Sequence, residues 1–196
     1  NIEDLDTNPL EQFNVWFQIA IDAEVNEANA MAISTISEEG TPRSRYVLFK
    51  DIVDNKLVFY SDYESSKGRE MENNPNISGL FFWPELHRQI RLEGVVSKTS
   101  DEVSDNYFAS RPRGAQLSAI ASSQSTEIEG RETVEDRIKE LEIEFEGKDI
   151  PRPDNWGGYA IDISFWEFWQ GRRSRTHDRF IYVKNDNSWE ITRLSP

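Results

Sequence analysis

The segment from Glu167 to Arg179 combines residue types that can bind a flat, anionic ligand. It holds four arginines and His177 beside the aromatic pair Phe168-Trp169. Arginine offers planar forked donors, tryptophan offers a stacking face, and histidine can exchange a proton near neutral pH. Arg175 and His177 stand at alternate positions, so an extended backbone would put both side chains on one side. The alternative is a basic surface loop between two strands, because charge clusters usually only solvate a turn.

Charge and composition narrow the possible partners. The 196 residues include 36 acidic and 22 Lys or Arg residues, a formal net charge of -14. A net negative charge of this size repels nucleic acid, so we expect no nucleic-acid partner. We expect the basic segment to bind a small anionic ligand instead. The chain has no cysteine and two histidines, which excludes disulfides and cysteine nucleophiles and predicts no metal site. No apolar run approaches the roughly 18 residues of a membrane span, so we expect a cytoplasmic protein without membrane contact.

The chain opens with a helix signal. Asn8 can cap the helix, Pro9 suits its first turn, and Glu11 follows three residues after the cap. Apolar residues then recur at helical spacing, which predicts a helix packed over a sheet: Leu10, Phe13, Trp16, Phe17, Ile19, Ala20 and Ile21.

Strand patterns fall into an early and a late group with helices between them. We predict strands over residues 30–36, 43–50, 56–60, 77–83, 88–98, 157–168, 180–183 and 189–193. Helices are predicted over residues 65–73, 101–110 and 131–145, with a Ser/Gln-rich stretch at 116–125 and a hairpin turn at Asn185-Asp186-Asn187. This order predicts an α+β, mainly β fold, a closed or nearly closed antiparallel sheet with peripheral helices, in one domain over residues 1–196.

Two spacings suggest side chains that act together. Gln89, Arg91 and Glu93 alternate with apolar residues, so they should face a ligand or an interface from one side of a strand. Tyr107 and Arg111 lie four residues apart at the end of the helix 101–110, which predicts a shared helical face. An ordinary surface pair is the alternative reading.

Six motifs in sequence order closely resemble the pyridoxamine 5'-phosphate oxidase family, along nearly the whole chain. They are Arg45-Tyr46-Val47-Leu48-Phe49-Lys50, Ser65-Ser66-Lys67, Arg88-Gln89-Ile90-Arg91, Tyr107-Phe108-Ala109-Ser110-Arg111-Pro112, Gln124-Ser125 and the segment Glu167 to Arg179. The resemblance implies a split β-barrel homodimer with FMN at the subunit interface. It also implies oxidation of pyridoxamine or pyridoxine 5'-phosphate to pyridoxal 5'-phosphate, with O2 as acceptor and hydrogen peroxide released.

The resemblance also implies a set of cofactor contacts, some of them from the second chain. FMN carries a phosphate and a flat ring, so it needs cations at one end and stacking or hydrogen-bonding groups at the other. Arg45 and Lys67 match the phosphate cations. The full set is Arg45, Tyr46, Val47, Leu48, Tyr60, Ser61, Ser66, Lys67, Gln89, Gln124, Ser125, Trp169 and Arg179.

For the substrate, the resemblance implies that Lys50, Tyr107 and Arg111 hold its phosphate. It assigns Arg175 and His177 to the catalytic site, where they orient the pyridine ring as hydride leaves C4' for the flavin. His87 matches no role and is expected on the surface.

Three residues depart from the usual family pattern: Ser66 in place of an arginine, Ala115 in place of a serine, and Thr176 in place of a leucine. Two alternatives remain open, a non-catalytic flavin or pyridoxal-phosphate binding protein and a related oxidase acting on another ring, as in phenazine biosynthesis.

Overall fold

The computed structural model describes residues 2–186 and 188–196, which form nine antiparallel strands and five α-helices. The strands are β1 (Ala30–Ile36), β2 (Pro42–Leu48), β3 (Asp51–Val53), β4 (Lys56–Asp62), β5 (Asn76–Trp83), β6 (Arg88–Lys98), β7 (Trp156–Gln170), β8 (Asp178–Asn185) and β9 (Ser188–Leu194). The helices are α1 (Pro9–Asp22), α2 (Ser66–Asn73), α3 (Asp101–Ser110), α4 (Arg113–Ala121) and α5 (Arg131–Glu144). The predicted α+β, mainly β class is confirmed.

The long strand β7 joins two parts of the sheet. The order is β2-β1-β5-β6-β7-β4-β3, and β8 and β9 extend from β7 as a further branch. One edge of β7 pairs with β6 along its length, whereas the other edge pairs first with β4 and then with β8. The sheet therefore splits around β7, which places β4 at one end of this strand and β8 at the other.

The pairing of β6 with β7 changes register between Glu93 and Gly94, where Ser164 of β7 is the extra residue of a β-bulge. A Cβ atom at residue 94 would lie 2.2 Å from the backbone oxygen of Asp162 in β7. Only glycine allows the two strands to approach this closely, and the bulge increases the local twist of the sheet.

Helix α1 covers the main hydrophobic core. Its predicted start is confirmed, since Asn8 Oδ1 accepts a hydrogen bond from the Leu10 backbone N–H at 3.0 Å. Phe13 is fully buried and its ring lies 5.3 Å from Phe81 and 5.5 Å from Trp166. Ile19 and Ile21 are 37% and 48% exposed, so the expectation that they face the sheet is wrong. They lie on the solvent side of the helix.

A second hydrophobic cluster packs α3, α4 and α5 over the start of β7. Its buried members are Phe108, Leu117, Leu141, Ile150 and Trp156. Helix α4 was not predicted and overlaps the Ser/Gln-rich stretch 116–125, where Leu117 is buried and Gln116 Nε2 donates to the Phe108 backbone oxygen at 2.8 Å. The short strand β3 was also not predicted.

Three further expectations concern the hairpin turn at residues 185–187, membrane-spanning helices and the exposure of His87. Strands β8 and β9 pair with Asn185 opposite Ser188, as expected of a hairpin, but Asn187 of the predicted turn lies outside the described residues. Across residues 2–186 and 188–196, the helices are all too short or too polar to span a bilayer. His87 is exposed, as predicted.

Candidate active site

Lys67 is the centre of a polar cluster at the junction of β4 and α2. Ser65 caps α2 through its hydroxyl, which accepts the Gly68 N–H at 3.2 Å, so Lys67 lies in the first helical turn. The Lys67 ammonium donates to Ser61 Oγ at 2.9 Å, Ser65 Oγ at 3.2 Å and Gln124 Oε1 at 2.5 Å. Ser61 also donates to the same Gln124 oxygen at 3.1 Å. The loop after α4 is thereby tied to β4.

This cluster has the chemistry of a phosphate site. All three acceptors around Lys67 are neutral, and no carboxylate of the described residues forms an ion pair with its ammonium. Burial lowers the pKa of Lys67, and repulsion from Arg45 lowers it further. A second cation and the positive end of a helix therefore lie beside a lysine that forms no direct ion pair within residues 2–186 and 188–196. The effect of Arg45 on the pKa, together with burial, outweighs the opposing charges of Asp62 and Glu70, which favours binding of an anion.

The predicted cofactor residues of β2 divide between the two faces of the sheet. Arg45 lies toward α2, where its guanidinium forms an ion pair with Glu70 at 2.9 Å. Val47 packs against the main core, whereas Tyr46 and Leu48 are 74% and 41% exposed on the outer face. Ser66 is the first residue of α2, beside Lys67, and the exposed Ser125 follows Gln124 with a left-handed backbone at φ 70°.

A neighbouring cavity brings together all three predicted substrate-phosphate residues. It has a volume of about 400 Å³ and is lined by Leu48, Lys50, Tyr60, Tyr107, Ser110, Arg111, Pro112, Ala115 and Trp156. Tyr60 in the cavity wall and the Lys67 acceptor Ser61 are consecutive residues of β4, so both cationic sites border this strand. The departure Ala115 lies in the cavity wall and adds no hydroxyl there.

Stacked rings form one wall of this cavity. The ring centroids of Tyr60 and Tyr107 are 3.7 Å apart and nearly parallel, and Trp156 lies 5.6 Å from Tyr60. Burial raises the pKa of Tyr60 to about 12, so its hydroxyl stays protonated. The Arg111 guanidinium carbon lies 4.5 Å from the Trp156 ring centroid, which supports the cation over an aromatic face.

The structure corrects the geometry predicted for Arg111. This residue is the C-cap of α3, with φ -70° and ψ 147°, rather than part of a helical face shared with Tyr107. Extended backbone turns its side chain onto Trp156. Its Nη1 atom is buried without a hydrogen-bond partner among the described residues, so one strong donor remains unused. An unused guanidinium donor beside Lys50 fits a second phosphate.

A third group of predicted residues lies on three neighbouring strands. Gln89 of β6 is opposite Trp169 of β7, and Trp169 is opposite Arg179 of β8. These side chains therefore form one row on the same face of the sheet. Arg179 Nε donates to Glu167 Oε1 at 2.7 Å, and Glu167 is only 3% exposed. The buried carboxylate fixes the orientation of Arg179.

The segment between β7 and β8 carries the predicted catalytic residues. The His177 ring lies 4.7 Å from the Trp169 ring, and its Nδ1 accepts the Arg172 backbone N–H at 3.1 Å. In neutral imidazole this leaves Nε2 as the hydrogen-bond donor. The expectation of an extended backbone from Arg175 to His177 is wrong. Residues Arg173–Arg175 form a 3-10 turn, with Ser174 and Arg175 at φ 57° and 61°.

The cation clusters and the aromatic row lie at opposite ends of β7 in one chain. Ser61 pairs with Gly157 and Gln89 pairs with Trp169, twelve residues further along the strand. At roughly 3.3 Å per residue, a straight strand would separate them by about 40 Å. FMN joins its phosphate to its ring through a five-carbon chain, which is too short to span this distance.

Sequence reasoning missed two buried carboxylates, Glu70 and Glu167, that fix predicted site arginines. Nothing in the sequence distinguishes them, because both belong to a chain with 36 acidic residues. Burial and paired guanidinium groups identify them only in three dimensions.

Family models and curated relatives match the chain along most of its length. Residues 17–144 match the family model described as pyridoxamine 5'-phosphate oxidase, and residues 156–196 match that of the pyridoxine 5'-phosphate oxidase C-terminal dimerisation region. The chain is 50% identical over 196 residues to pyridoxine/pyridoxamine 5'-phosphate oxidase of Burkholderia mallei (strain SAVP1), covering 98% of this chain and 91% of that protein. The protein of the same name from Cyanothece sp. (strain PCC 7425 / ATCC 29141) is 47% identical over 193 residues, with 98% and 91% covered.

Two solved structures are similar along the whole chain. PhzG from Burkholderia lata 383, in complex with tetrahydrophenazine-1-carboxylic acid, gives a TM-score of 0.94 at 30% identity, covering 99% of this chain and 95% of that one. A pyridoxamine 5'-phosphate oxidase-related, FMN binding protein from Nostoc punctiforme PCC 73102 gives 0.77 at 16% identity, covering 98% and 100%, which supports the fold alone. The sheet is thus a split β-barrel of this kind, and the chain belongs to the pyridoxamine 5'-phosphate oxidase family.

Proposed function

We propose that this chain is an FMN-dependent oxidase that converts pyridoxamine or pyridoxine 5'-phosphate to pyridoxal 5'-phosphate. O2 is the electron acceptor and hydrogen peroxide the second product. The observation that carries the proposal is the presence of two adjacent cationic sites, one around Lys67 and one around Lys50 and Arg111. A reaction between a phosphorylated cofactor and a phosphorylated substrate requires two such sites close together. We assign residues 1–196 to one FMN-binding domain.

The cofactor is FMN, and the residues around Lys67 fit its phosphate. Arg45 and Lys67 would supply the cations, with hydroxyl and amide groups from Ser61, Ser66, Gln124 and Ser125 nearby. Gln89, Trp169 and Arg179 would hold the ring through hydrogen bonds and an aromatic face. When bound, FMN would supply a two-electron acceptor, which no side chain of this protein can provide.

The separation along β7 favours a site shared by two copies of the chain. One copy would contribute the cations at the β4 end, and its partner would contribute the aromatic row at the β8 end. The apolar side chains exposed on the outer face, Tyr46, Leu48 and Phe82, provide a surface that association would bury. We therefore propose an obligate homodimer with two equivalent sites.

The substrate-facing residues act by position rather than by forming a bond. Lys50, Tyr107 and Arg111 would anchor the substrate phosphate against the stacked rings. Arg175 and His177 would hold the pyridine ring, with His177 Nε2–H as a donor. Anchoring both ends of the substrate fixes C4' relative to the hydride acceptor, and such positioning supplies a large part of many rate enhancements.

A second candidate is oxidation of a phenazine precursor, which the similarity to PhzG favours. Substrate charge separates the candidates, because a phenazine carboxylate has no phosphate to occupy the cavity of Lys50 and Arg111. The test is anaerobic bleaching of the bound flavin by pyridoxamine 5'-phosphate, pyridoxamine or tetrahydrophenazine-1-carboxylic acid. We expect bleaching by the phosphate ester and at least about tenfold slower bleaching by pyridoxamine, since one charge-assisted hydrogen bond contributes about 1.5–3 kcal/mol. Bleaching by the phenazine alone would favour the second candidate, and no bleaching by any would favour a binding protein.

The shared site has its own test. Arg111→Ala and Arg175→Ala damage opposite ends, so a mixed dimer contains one site with both changes and one with neither. After random exchange of subunits, half of the dimers are mixed and about a quarter of all sites are intact. At a substrate concentration low enough that each variant alone is nearly inactive, mixing the two should therefore restore about a quarter of the parent activity. A mixture that stays inactive after verified exchange would place the whole site within one chain.

A further inference from the structure

We propose that Glu70 is a positioning residue of the FMN phosphate site, holding the Arg45 guanidinium in the direction that the phosphate requires. The inference rests on the proposed binding of FMN by Arg45 and Lys67. It assigns a function to a carboxylate that would, by charge alone, repel the dianionic cofactor.

The contacts of Glu70 form a closed network. Its side chain is 6% exposed, and its Oε1 accepts a hydrogen bond from Arg43 Nη1 at 3.0 Å. Its Oε2 accepts from Arg45 Nη2 at 2.9 Å and from the Thr35 hydroxyl at 2.5 Å. The Thr35 hydroxyl in turn accepts from Arg45 Nη1. Two nitrogens of Arg45 are therefore fixed by a buried carboxylate and a buried hydroxyl.

This network lies directly beside the phosphate cluster. Glu70 follows Lys67 by three residues and Ser66 by four on the same helix, so all three share one side of α2. Arg45 is close enough to Lys67 to lower the pKa of the lysine. Arg45 and Glu70 are thus both within electrostatic range of the Lys67 ammonium.

The ionisation of Glu70 matches this role. Burial by itself would raise its pKa, but the hydrogen bonds from Thr35, Arg45 and Arg43 and the charge of Arg45 outweigh burial, and the pKa is lowered overall. The carboxylate stays charged at neutral pH. It also separates two guanidinium groups that would otherwise repel each other, and Arg45 is only 23% exposed.

Preorganisation is the physical benefit. A long arginine side chain loses rotamer freedom when it binds a ligand, and a partner that already holds it removes that cost from binding. This chain has Ser66 where an additional cation is common in the family, so the geometry of Arg45 becomes more important. If Glu70 orients Arg45, removing its charge should weaken FMN binding. If only its negative charge matters, removing that charge should strengthen FMN binding, so the direction of the change tests the proposal.

The experiment is titration of the apo-dimer with FMN and, separately, with riboflavin. Binding is measured by the quenching of flavin fluorescence. Glu70→Gln keeps the size of the side chain and removes its charge. We expect it to weaken FMN about tenfold and to leave riboflavin unchanged, because riboflavin lacks the phosphate. Glu72→Gln is the matched control, since it removes the same charge from an exposed position of α2 that pairs with Lys98 at 3.5 Å. It should leave FMN binding unchanged or slightly tighter.

A double variant tests whether Glu70 acts through Arg45. In an Arg45→Ala background, Glu70→Gln should cause no further loss of FMN affinity. An equal loss with and without Arg45, a loss shared by riboflavin, or tighter FMN binding in the single variant would overturn the proposal. If Glu70→Gln does not fold, Thr35→Val removes only the buried hydroxyl and should weaken FMN in the same direction. Unchanged FMN binding in that variant would also overturn it.

Different results would contradict the proposed function and the proposed role of Glu70. A parent protein that does not bind FMN, or whose flavin is not bleached by pyridoxamine 5'-phosphate, would contradict the function. A parent protein that passes both tests, together with Glu70→Gln that binds FMN normally, would contradict the role of Glu70 alone.

Discussion

Lys67→Ala should weaken FMN binding much more than it alters any other property of the protein. Lys67 donates three hydrogen bonds to neutral oxygens and has no ion-pair partner among the described residues, so its charge is available to a phosphate. Arg45, the other cation proposed for the phosphate, already shares its charge with Glu70 at 2.9 Å. The phosphate therefore depends mainly on Lys67.

The structure sets the expected size of this effect. A charge-assisted hydrogen bond contributes about 1.5–3 kcal/mol, which is roughly 10- to 150-fold in affinity. Because Ser66 supplies no cation and Arg45 is partly neutralised, we expect a value near the upper end of this range. In the apo-protein, burial of the ammonium is unfavourable and lowers the pKa of Lys67. Binding of the anion compensates for this cost.

The assay is fluorescence titration of the apo-dimer with FMN at low and high salt, with thermal unfolding of each apo-variant as a check on folding. Lys98→Ala is the control, because that lysine lies over the Tyr63 ring and pairs with Glu72, away from the cluster. Lys50→Ala and Arg111→Ala should retain FMN and raise the KM for the substrate. Equal loss of FMN in all three site variants, or less than threefold loss in Lys67→Ala, would refute the assignment of two separate phosphate sites.

Three further predictions concern protonation, turnover and the cofactor linkage. FMN affinity of the parent should fall as the pH rises from the lowered pKa of free Lys67 to its higher pKa beside a phosphate, and stay low above that window. In Lys67→Arg, which stays charged, titrations across the same window should show no such fall. Arg175→Ala should keep FMN but slow anaerobic flavin reduction about 100-fold, and reduction at the parent rate would contradict the assignment. His177→Asn should slow flavin reduction less than this if the imidazole ring only orients the substrate. Acid precipitation should release one FMN per chain, because there is no cysteine to form a covalent link, and colour that stays in the pellet would show otherwise.

The sequence predicted elements well wherever a cap or a strict alternation marked them. Residues 30–36, 88–98 and 101–110 have the predicted bounds, because strands alternate in burial and Ser100 caps α3. Helix α4 escaped prediction, since no side chain caps it and only Gln116 and Leu117 are buried. Its place is set by contacts with α3 and α5, which are tertiary effects.

The site was predicted in composition more completely than in geometry. Motif order identified Lys67 and Arg111, and both lie where a phosphate could bind. The backbone at Arg175 could not be foreseen, because a residue with a side chain rarely adopts a positive φ. The partners of Arg45 and Arg179 were equally hidden, since they depend on which acidic residues become buried.

Because the two ends of β7 are far apart, the fraction of protein that retains FMN should depend on the protein concentration. If each FMN needs one end from each copy, a separated chain has no complete site, and dissociation of the dimer releases the cofactor. By mass action, FMN then stabilises the dimer and the dimer stabilises bound FMN by the same free energy. Dilution should consequently release FMN, seen as a rise in flavin fluorescence, before it unfolds the chain, and added FMN should restore the occupied dimer.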